Sequence, residues 1–309
     1  FGFFGDDTGG LLTRRPAFLV GAMEQGIQEQ GADTFQFQNP LELRRITWGA
    51  SAALLEKLIA YEAVHAIKSW DDLKNRLAPD RRCFAYFHPR MPDEPLIFVW
   101  VALVSGISDN IQVLLDESAP LGDPESADTA IFYSISNAQR GLNGISFGNF
   151  LIKRVVDSLS SDLKGLKTFA TLSPVPGFRS WLDKALVMNE ADLLRANEHE
   201  AIKEVAPTGL RGLLAIPGWV DDPGCVAAAC DPLLRLCAHY LIEEKSSSGS
   251  TLDPVAHFHL FNGARIENLN WKADLSKRGI DQSAGIMVNF LYELDRIDAN
   301  HEAYFGSGE

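Results

Sequence analysis

Asp128-Thr-Ala-Ile-Phe-Tyr-Ser-Ile-Ser136 runs through Asn137-Ala-Gln-Arg-Gly-Leu-Asn-Gly144 into Ile145-Ser-Phe-Gly-Asn-Phe-Leu-Ile-Lys-Arg-Val-Val156, and this stretch sets the fold class. The first part is apolar and rich in strand formers, so it reads as a buried strand. The last part places Phe147, Phe150, Leu151, Val155, Leu159 and Leu163 at steps of three and four, one apolar face of a helix. Gly141, Gly144 and Gly148 lie at the mouth of that helix. Amides freed at a helix N-terminus, approached closely because glycine has no side chain, form a cradle for phosphate oxygens. The spacing Gly-x-x-Gly-x-x-x-Gly matches neither the dinucleotide fingerprint nor the P-loop, which would end in Gly-Lys-Ser/Thr. The same glycines also suit a turn that needs them only for its backbone angles, and the local pattern leaves both readings open.

Composition narrows the function. With 309 residues and 46% hydrophobic content, the chain is long enough for one large core or two modest ones. Leu96-Ile-Phe-Val-Trp-Val-Ala-Leu-Val104 is read as the longest apolar run; it is far shorter than the ~20 residues of a membrane helix and suits a buried strand, so no membrane partner is expected. A net charge of -13 argues against nucleic acid as a partner, because a phosphate backbone needs a broad basic face. An anionic ligand must then be held locally, and Arg140, Lys153 and Arg154 beside the glycine turn offer local positive charge.

Cys225, Cys230 and Cys237 precede His239 at irregular gaps and lack a paired Cys-x-x-Cys knuckle, so they predict buried thiols on a helix over Pro223–Leu241. A reducing compartment, no disulfide and no metal are expected.

Along the chain, Phe1–Phe37 is turn-rich and polar and does not read as a complete domain. From Pro40 the chain is dense with structure. Leu41–Trp48 alternates like a strand, Ala52–Tyr61 has helical period, and a short helix around Trp70–Leu77 stops before Pro79. Arg82–His88 and Leu96–Val104 predict a strand pair around a turn at Pro89–Pro95. Leu166–Ser173 predicts a further strand ending at Pro174, His257-Phe-His259 reads as an alternating strand, Tyr292 reads as a helix residue, and Ser246–Ser250 reads as a loop.

Four groups of segments resemble malonyl-CoA decarboxylases in wording and order. They are Tyr61-Glu-Ala-Val-His-Ala-Ile67 with Asp80-Arg-Arg-Cys-Phe84; Phe132-Tyr-Ser-Ile-Ser136 with Gly141-Leu-Asn-Gly144 and Phe150-Leu-Ile-Lys153; Thr171-Leu-Ser-Pro-Val-Pro-Gly-Phe178; and Phe258-His-Leu-Phe-Asn-Gly-Ala264 with Asn270-Trp271. The resemblance covers about Asn39 to Tyr304.

It implies an α+β, acetyltransferase-like (GNAT) fold, with a mixed central sheet flanked by helices and preceded by a remnant of an all-helical N-terminal domain. Residues 1–37 would be that remnant and residues 38–309 the catalytic domain. The strands ending at Ser136 and Ser173 would be the splayed pair that admits coenzyme A. Its pyrophosphate would meet Asn143, Gly144, Ile145, Ser146, Phe147, Gly148 and Asn149. The implied reaction converts malonyl-CoA to acetyl-CoA and carbon dioxide through a thioester enolate, with no cofactor, since the thioester carbonyl is itself the electron sink.

Such chemistry needs a donor to the carbonyl oxygen, a pocket for the departing carboxylate and a general acid. By resemblance, Ser173 binds the substrate, His259 gives the proton from a pKa near working pH, and Tyr292 lines the site. Some relatives carry glutamate where this chain has Ser146, which puts any carboxylate-dependent step there in doubt. The alternatives are a GNAT-type acyltransferase using acyl-CoA and a non-catalytic acyl-CoA sensor. The resemblance further implies a homo-oligomer, dimer or tetramer. With neither a peroxisomal address nor a transit peptide visible, the expected location is a bacterial-type cytoplasm, with the mitochondrial matrix as the alternative.

Overall fold

The computed structural model describes residues 41–138, 148–247 and 249–307. The proposed remnant at 1–37, its boundary, and cradle residues Asn143, Gly144, Ile145, Ser146 and Phe147 lie outside the described residues. The strands are β1 (Glu42–Ile46), β2 (Arg81–His88), β3 (Met91–Val104), β4 (Thr129–Asn137), β5 (Thr168–Thr171), β6 (Ser173–Pro174), β7 (Arg265–Asn270) and β8 (Met287–Leu291). The helices are α1 (Ala52–Tyr61), α2 (Trp70–Arg76), α3 (Ile111–Leu114), α4 (Gly148–Asp162), α5 (Phe178–Leu193), α6 (Ala196–Val205), α7 (Leu210–Leu214), α8 (Pro223–Ile242), α9 (Pro254–Phe261), α10 (Lys277–Ser283) and α11 (Ile297–Ser307). The fold is α+β, with parallel and antiparallel strand pairs and flanking helices. Two compact units are distinguished, one built around residues up to Leu77 with Arg82–Trp100 and Ile135–Val155, the other from Ala78–Arg81, Val101–Ser134 and Val156 onward.

In the first unit β1 pairs antiparallel with β2, from Glu42↔Phe87 to Ile46↔Cys83, and β2 neighbours β3. Leu54, Leu55, Leu58, Leu73, Phe84, Phe87, Phe98 and Trp100 are among its buried apolar side chains. The helices start where serines cap them: Ser51 Oγ accepts from the Leu54 amide and Ser69 Oγ from the Asp72 amide. The turn after β2 is tighter than the prolines suggest. Only Pro89 and Arg90 form it, and β3 resumes at Met91 through Pro92 and Pro95, because proline's fixed φ is compatible with an extended chain.

In the second unit β4 and β5 are parallel from Thr129↔Thr168 to Phe132↔Thr171. The Leu172 amide still donates to the Phe132 carbonyl at 3.0 Å, and the ladder ends there. The strand expected over Leu166–Ser173 is therefore interrupted at Leu172. Its two pieces both pair antiparallel with β8, β5 through Ala170↔Leu291 and β6 through Ser173↔Val288 and Pro174↔Met287. Proline supplies no amide and restricts the residue before it, so the parallel ladder with β4 does not continue beyond Leu172 while β6 stays short and pairs with β8. β7 covers β8 with an irregularity between Ile266 and Asn268.

Of the apolar face read from the sequence, Leu151, Val155 and Leu159 are buried on α4, with Ile152 and Val156, and Leu163 is buried just past its end; Phe147 and the Phe150 side chain lie outside the described part. Helix α8 begins where Asp222 accepts from the Cys225 amide and Pro223 occupies the first turn. By length and composition alone α8 is long and apolar enough to cross a membrane, although the longest uninterrupted apolar run in the sequence lies elsewhere, at Leu96–Val104. Here it packs on α5 and α6 and buries Ala229, Leu233, Leu236, Cys237 and Tyr240. The cysteines are free thiols, with Cys225, Cys230 and Cys237 on α8 as expected.

Candidate active site

Helix α9 exists because Asp253-Pro254 starts it. The Asp253 carboxylate accepts from the amides of Val255 and Ala256 at 2.9 and 3.0 Å, and Pro254 takes the first position, where no amide partner is needed. This corrects the reading of His257-Phe-His259 as a strand. On the helix the two histidines face different ways. The His257 ring meets the Tyr304 hydroxyl of α11, while His259 is buried and stacks on Phe290 of β8 with ring centroids 4.7 Å apart. Tyr292, read as a helix residue, instead directly follows β8, and its amide donates to the Phe169 carbonyl of β5.

These elements bring three distant side chains into one hydrogen-bonded line. His259 Nε2 lies 3.1 Å from Ser173 Oγ, and His259 Nδ1 lies 2.8 Å from the Tyr292 hydroxyl. Ser173 Oγ donates to Thr171 Oγ1 at 2.9 Å, and Thr171 Oγ1 also accepts from the Phe290 amide. With Ser173 donating to Thr171, His259 carries its proton on Nε2 and donates to Ser173, while Tyr292 donates to Nδ1. Among the described residues the side-chain partners of Ser173, His259 and Tyr292 are one another and Thr171, with no charged group in the line.

Burial sets the protonation states. The His259 pKa is lowered to about 3, because the enclosed imidazole cannot hydrate a positive charge. Burial also pushes the Tyr292 phenol well above its ordinary value, so it stays protonated and able to donate. The expectation that His259 titrates near working pH is thus corrected: its site is enclosed, and the imidazole is neutral at physiological pH.

The residues supporting the line were not singled out from the sequence. Asn289 of β8 donates through Nδ2 to the carbonyls of Thr171 and Ser108 at 2.8 and 2.9 Å, and its Oδ1 accepts from Asn270 at 2.6 Å. An asparagine within the apolar run Met287-Val-Asn-Phe-Leu291 was the available signal. Asp253 also accepts from the Gly177 amide at 3.3 Å and from the Tyr240 hydroxyl, tying α9 to the loop after Ser173; burial raises its pKa despite these donors. Glycine is required at 177, where a Cβ would collide with the Tyr240 hydroxyl. Thr171 lies two residues before Ser173, a spacing that places alternate side chains on one side of an extended chain.

A family model described as the malonyl-CoA decarboxylase C-terminal domain matches residues 39–309. The chain belongs to this family. It is 45% identical over 280 residues to the mitochondrial malonyl-CoA decarboxylase of Anser anser anser, covering 86% of this chain and 55% of that protein. It is 41% identical over 278 residues to the mitochondrial enzyme of Rattus norvegicus, covering 86% and 56%. The chain therefore spans about half the length of the curated relatives it matches. The crystal structure of malonyl-CoA decarboxylase from Rhodopseudomonas palustris superposes with a TM-score of 0.82 at 44% identity, covering 95% of this chain and 73% of that one. The structure of the Agrobacterium vitis protein gives 0.78 at 44% identity, covering 97% and 71%.

Of the residues expected to form the family's site, the structure gathers Ser173, His259 and Tyr292 and adds Thr171 beneath them. Gly148 and Asn149 open α4, while the rest of the expected cradle lies outside the described residues. Among the described residues no group of three or more His, Cys, Asp or Glu is arranged to hold a metal ion.

Proposed function

We propose that this chain carries the catalytic part of a malonyl-CoA decarboxylase and converts malonyl-CoA to acetyl-CoA and carbon dioxide. The observation that carries this reading is the neutral, buried line from Thr171 through Ser173 and His259 to Tyr292, in a chain of this family. Decarboxylation breaks the bond between the α-carbon and the carboxylate, and the electron pair passes into the thioester to form an enolate. The growing oxyanion needs preorganised donors more than charge. The Ser173 hydroxyl, reoriented from Thr171 toward the substrate, supplies one.

His259 then acts as general acid from the neutral state. An enolate carbon is basic enough to take a proton from a neutral donor, and the Nε2 proton reaches it through the Ser173 hydroxyl. The Tyr292 proton passes to Nδ1 as the ring loses the one on Nε2, and the phenolate so formed regains a proton from water, the one proton that the overall reaction takes up. A neutral imidazole also suits the first step, because an imidazolium would stabilise the starting carboxylate as well as the enolate. Residues 38–309 form the catalytic domain in this reading, and the coenzyme A pyrophosphate is held by Asn143–Asn149 where the chain enters α4.

The test is to incubate the protein with malonyl-CoA alone, without an acceptor and with a chelator, and to follow both products by mass spectrometry. Acetyl-CoA and carbon dioxide should appear in equal amounts. His259→Asn should abolish turnover while coenzyme A esters still bind. Malonyl-CoA that binds but stays intact with the unaltered protein would refute the reading.

A further inference from the structure

Asn262 closes helix α9, three residues after His259. It is 3% exposed, and neither Oδ1 nor Nδ2 has a hydrogen-bond partner among the described residues. Among the described residues Asn262 stands out because both its side-chain donor and its acceptor lack a hydrogen-bond partner. A buried amide without partners is costly, so its retention in a folded chain calls for a role.

The helix places this amide. Ala256, His259 and Asn262 are buried three residues apart, and residues at that spacing on a helix are surface neighbours. His257 and Phe261 lie on the other side, against Tyr304 and His301 of α11. Asn262 therefore shares the face of α9 that carries His259, one turn further along.

We propose that Asn262 contacts the substrate, its Nδ2 donating to the malonyl carboxylate; this rests on the decarboxylase reading above. The substrate offers a partner for each half of the amide: carboxylate oxygens for Nδ2–H, and the amide N–H of the coenzyme's thiol-bearing arm for Oδ1. A neutral donor fits the chemistry better than a cation would. It orients the carboxylate for cleavage without the strong ionic stabilisation that would deepen the ground state and raise the barrier. Because acetyl-CoA lacks the carboxylate, this contact makes Asn262 a residue that selects malonyl over acetyl thioesters.

Asn262→Leu has nearly the same shape and removes both polar atoms. A group with a purely structural role would lower the melting temperature when replaced. Removing two unpaired buried polar atoms should instead leave it unchanged or raise it. In an His259→Asn background, where substrate persists, titration calorimetry with malonyl-CoA and acetyl-CoA reads the contact directly. Asn262→Leu should weaken malonyl-CoA about 10- to 100-fold relative to acetyl-CoA, the loss of one hydrogen bond to a charged group.

Asn262→Asp serves as the second variant if the leucine form does not fold. A second carboxylate there should repel malonyl-CoA and leave acetyl-CoA binding within about twofold. An unchanged malonyl-to-acetyl ratio in a folded variant, or an equal loss of both ligands with a lower melting temperature, overturns the proposal. If the unaltered protein turns malonyl-CoA over and the ratio is unchanged, only this inference falls. If the unaltered protein does not turn it over, the decarboxylase reading falls and takes this one with it.

Discussion

Two buried polar clusters, one in each unit, have opposite characters. In the first unit Arg76 and Asp72 form a bidentate ion pair at 2.7 and 3.1 Å, with the two residues 2% and 4% exposed. Two further guanidinium N–H groups donate to the carbonyls of His65 and Ala66 at 2.8 and 3.2 Å. Nearby, Glu62 accepts from the amides of Val64 and His65 and from the Trp100 indole. This cluster is charged and bonded on every side, and it fixes the path of Tyr61–Ile67. In the second unit the Ser173–His259–Tyr292 line is neutral, and each member can exchange donor for acceptor with its neighbour. Buried charge holds only when every partner is in place, which suits architecture. A neutral line of hydroxyls and an imidazole can pass a proton from one member to the next along bonds already in place, which suits catalysis.

The contrast is broken most strongly by Arg76→Ala. It leaves the Asp72 carboxylate buried without its counter-ion and should destabilise the first unit by about 3–5 kcal/mol. Denaturant unfolding should show the loss, with turnover per folded molecule nearly unchanged. A large loss of turnover with stability intact would move this cluster into the chemistry.

The second test sharpens the contrast through pH. His259 is neutral when folded, with a pKa of about 3, while an unfolded histidine titrates near 6.5. As pH falls below about 6.5 the unfolded state takes the proton first, so stability should decline by about 1.4 kcal/mol per pH unit toward pH 3 from this group. Comparing acid unfolding of the unaltered protein with His259→Asn isolates that slope. Identical slopes would mean that the ring is not enclosed.

The smallest effect belongs to Tyr292→Phe, which removes one hydroxyl and leaves His259 Nδ1 without its partner. Loss of a buried hydrogen bond costs about 1–3 kcal/mol, so kcat should fall roughly 10- to 100-fold with KM little changed. A change confined to KM would place Tyr292 in binding rather than proton transfer.

Much of the local structure was legible. Ala52–Tyr61 and α4 carry helical periods strong enough to be read alone, and the helix over Pro223–Leu241 ends within one residue of its predicted end. The ambiguous elements failed for identifiable reasons. His257-Phe-His259 is too short for its alternation to separate a strand from a helix, and the deciding signal was the Asp253-Pro254 cap just before it. Leu166–Ser173 reads as continuous because Phe169, Ala170 and Leu172 run up to Ser173 with no glycine or proline before Pro174 to mark the break at Leu172. Tyr292 reads as a helix residue because the apolar run before it has no period of its own to distinguish β8. Within the site, Ser173, His259 and Tyr292 were found through their motifs, whereas Thr171, Asn289, Asp253 and Asn262 were not, since nothing in a short window marks a polar side chain whose partners are remote in sequence.

The sequence by itself determined the class of fold, the family, and which short segments hold chemically capable side chains, because these depend on composition, local period and wording. Only the tertiary structure decided that Ser173, His259 and Tyr292 join in one line, that His259 is neutral, and that the Asn262 side chain is enclosed without a hydrogen-bond partner among the described residues. Those properties arise when strands and helices far apart in the chain exclude water from the same place, and exclusion of water governs both the pKa of a buried ring and the cost of an unpaired amide.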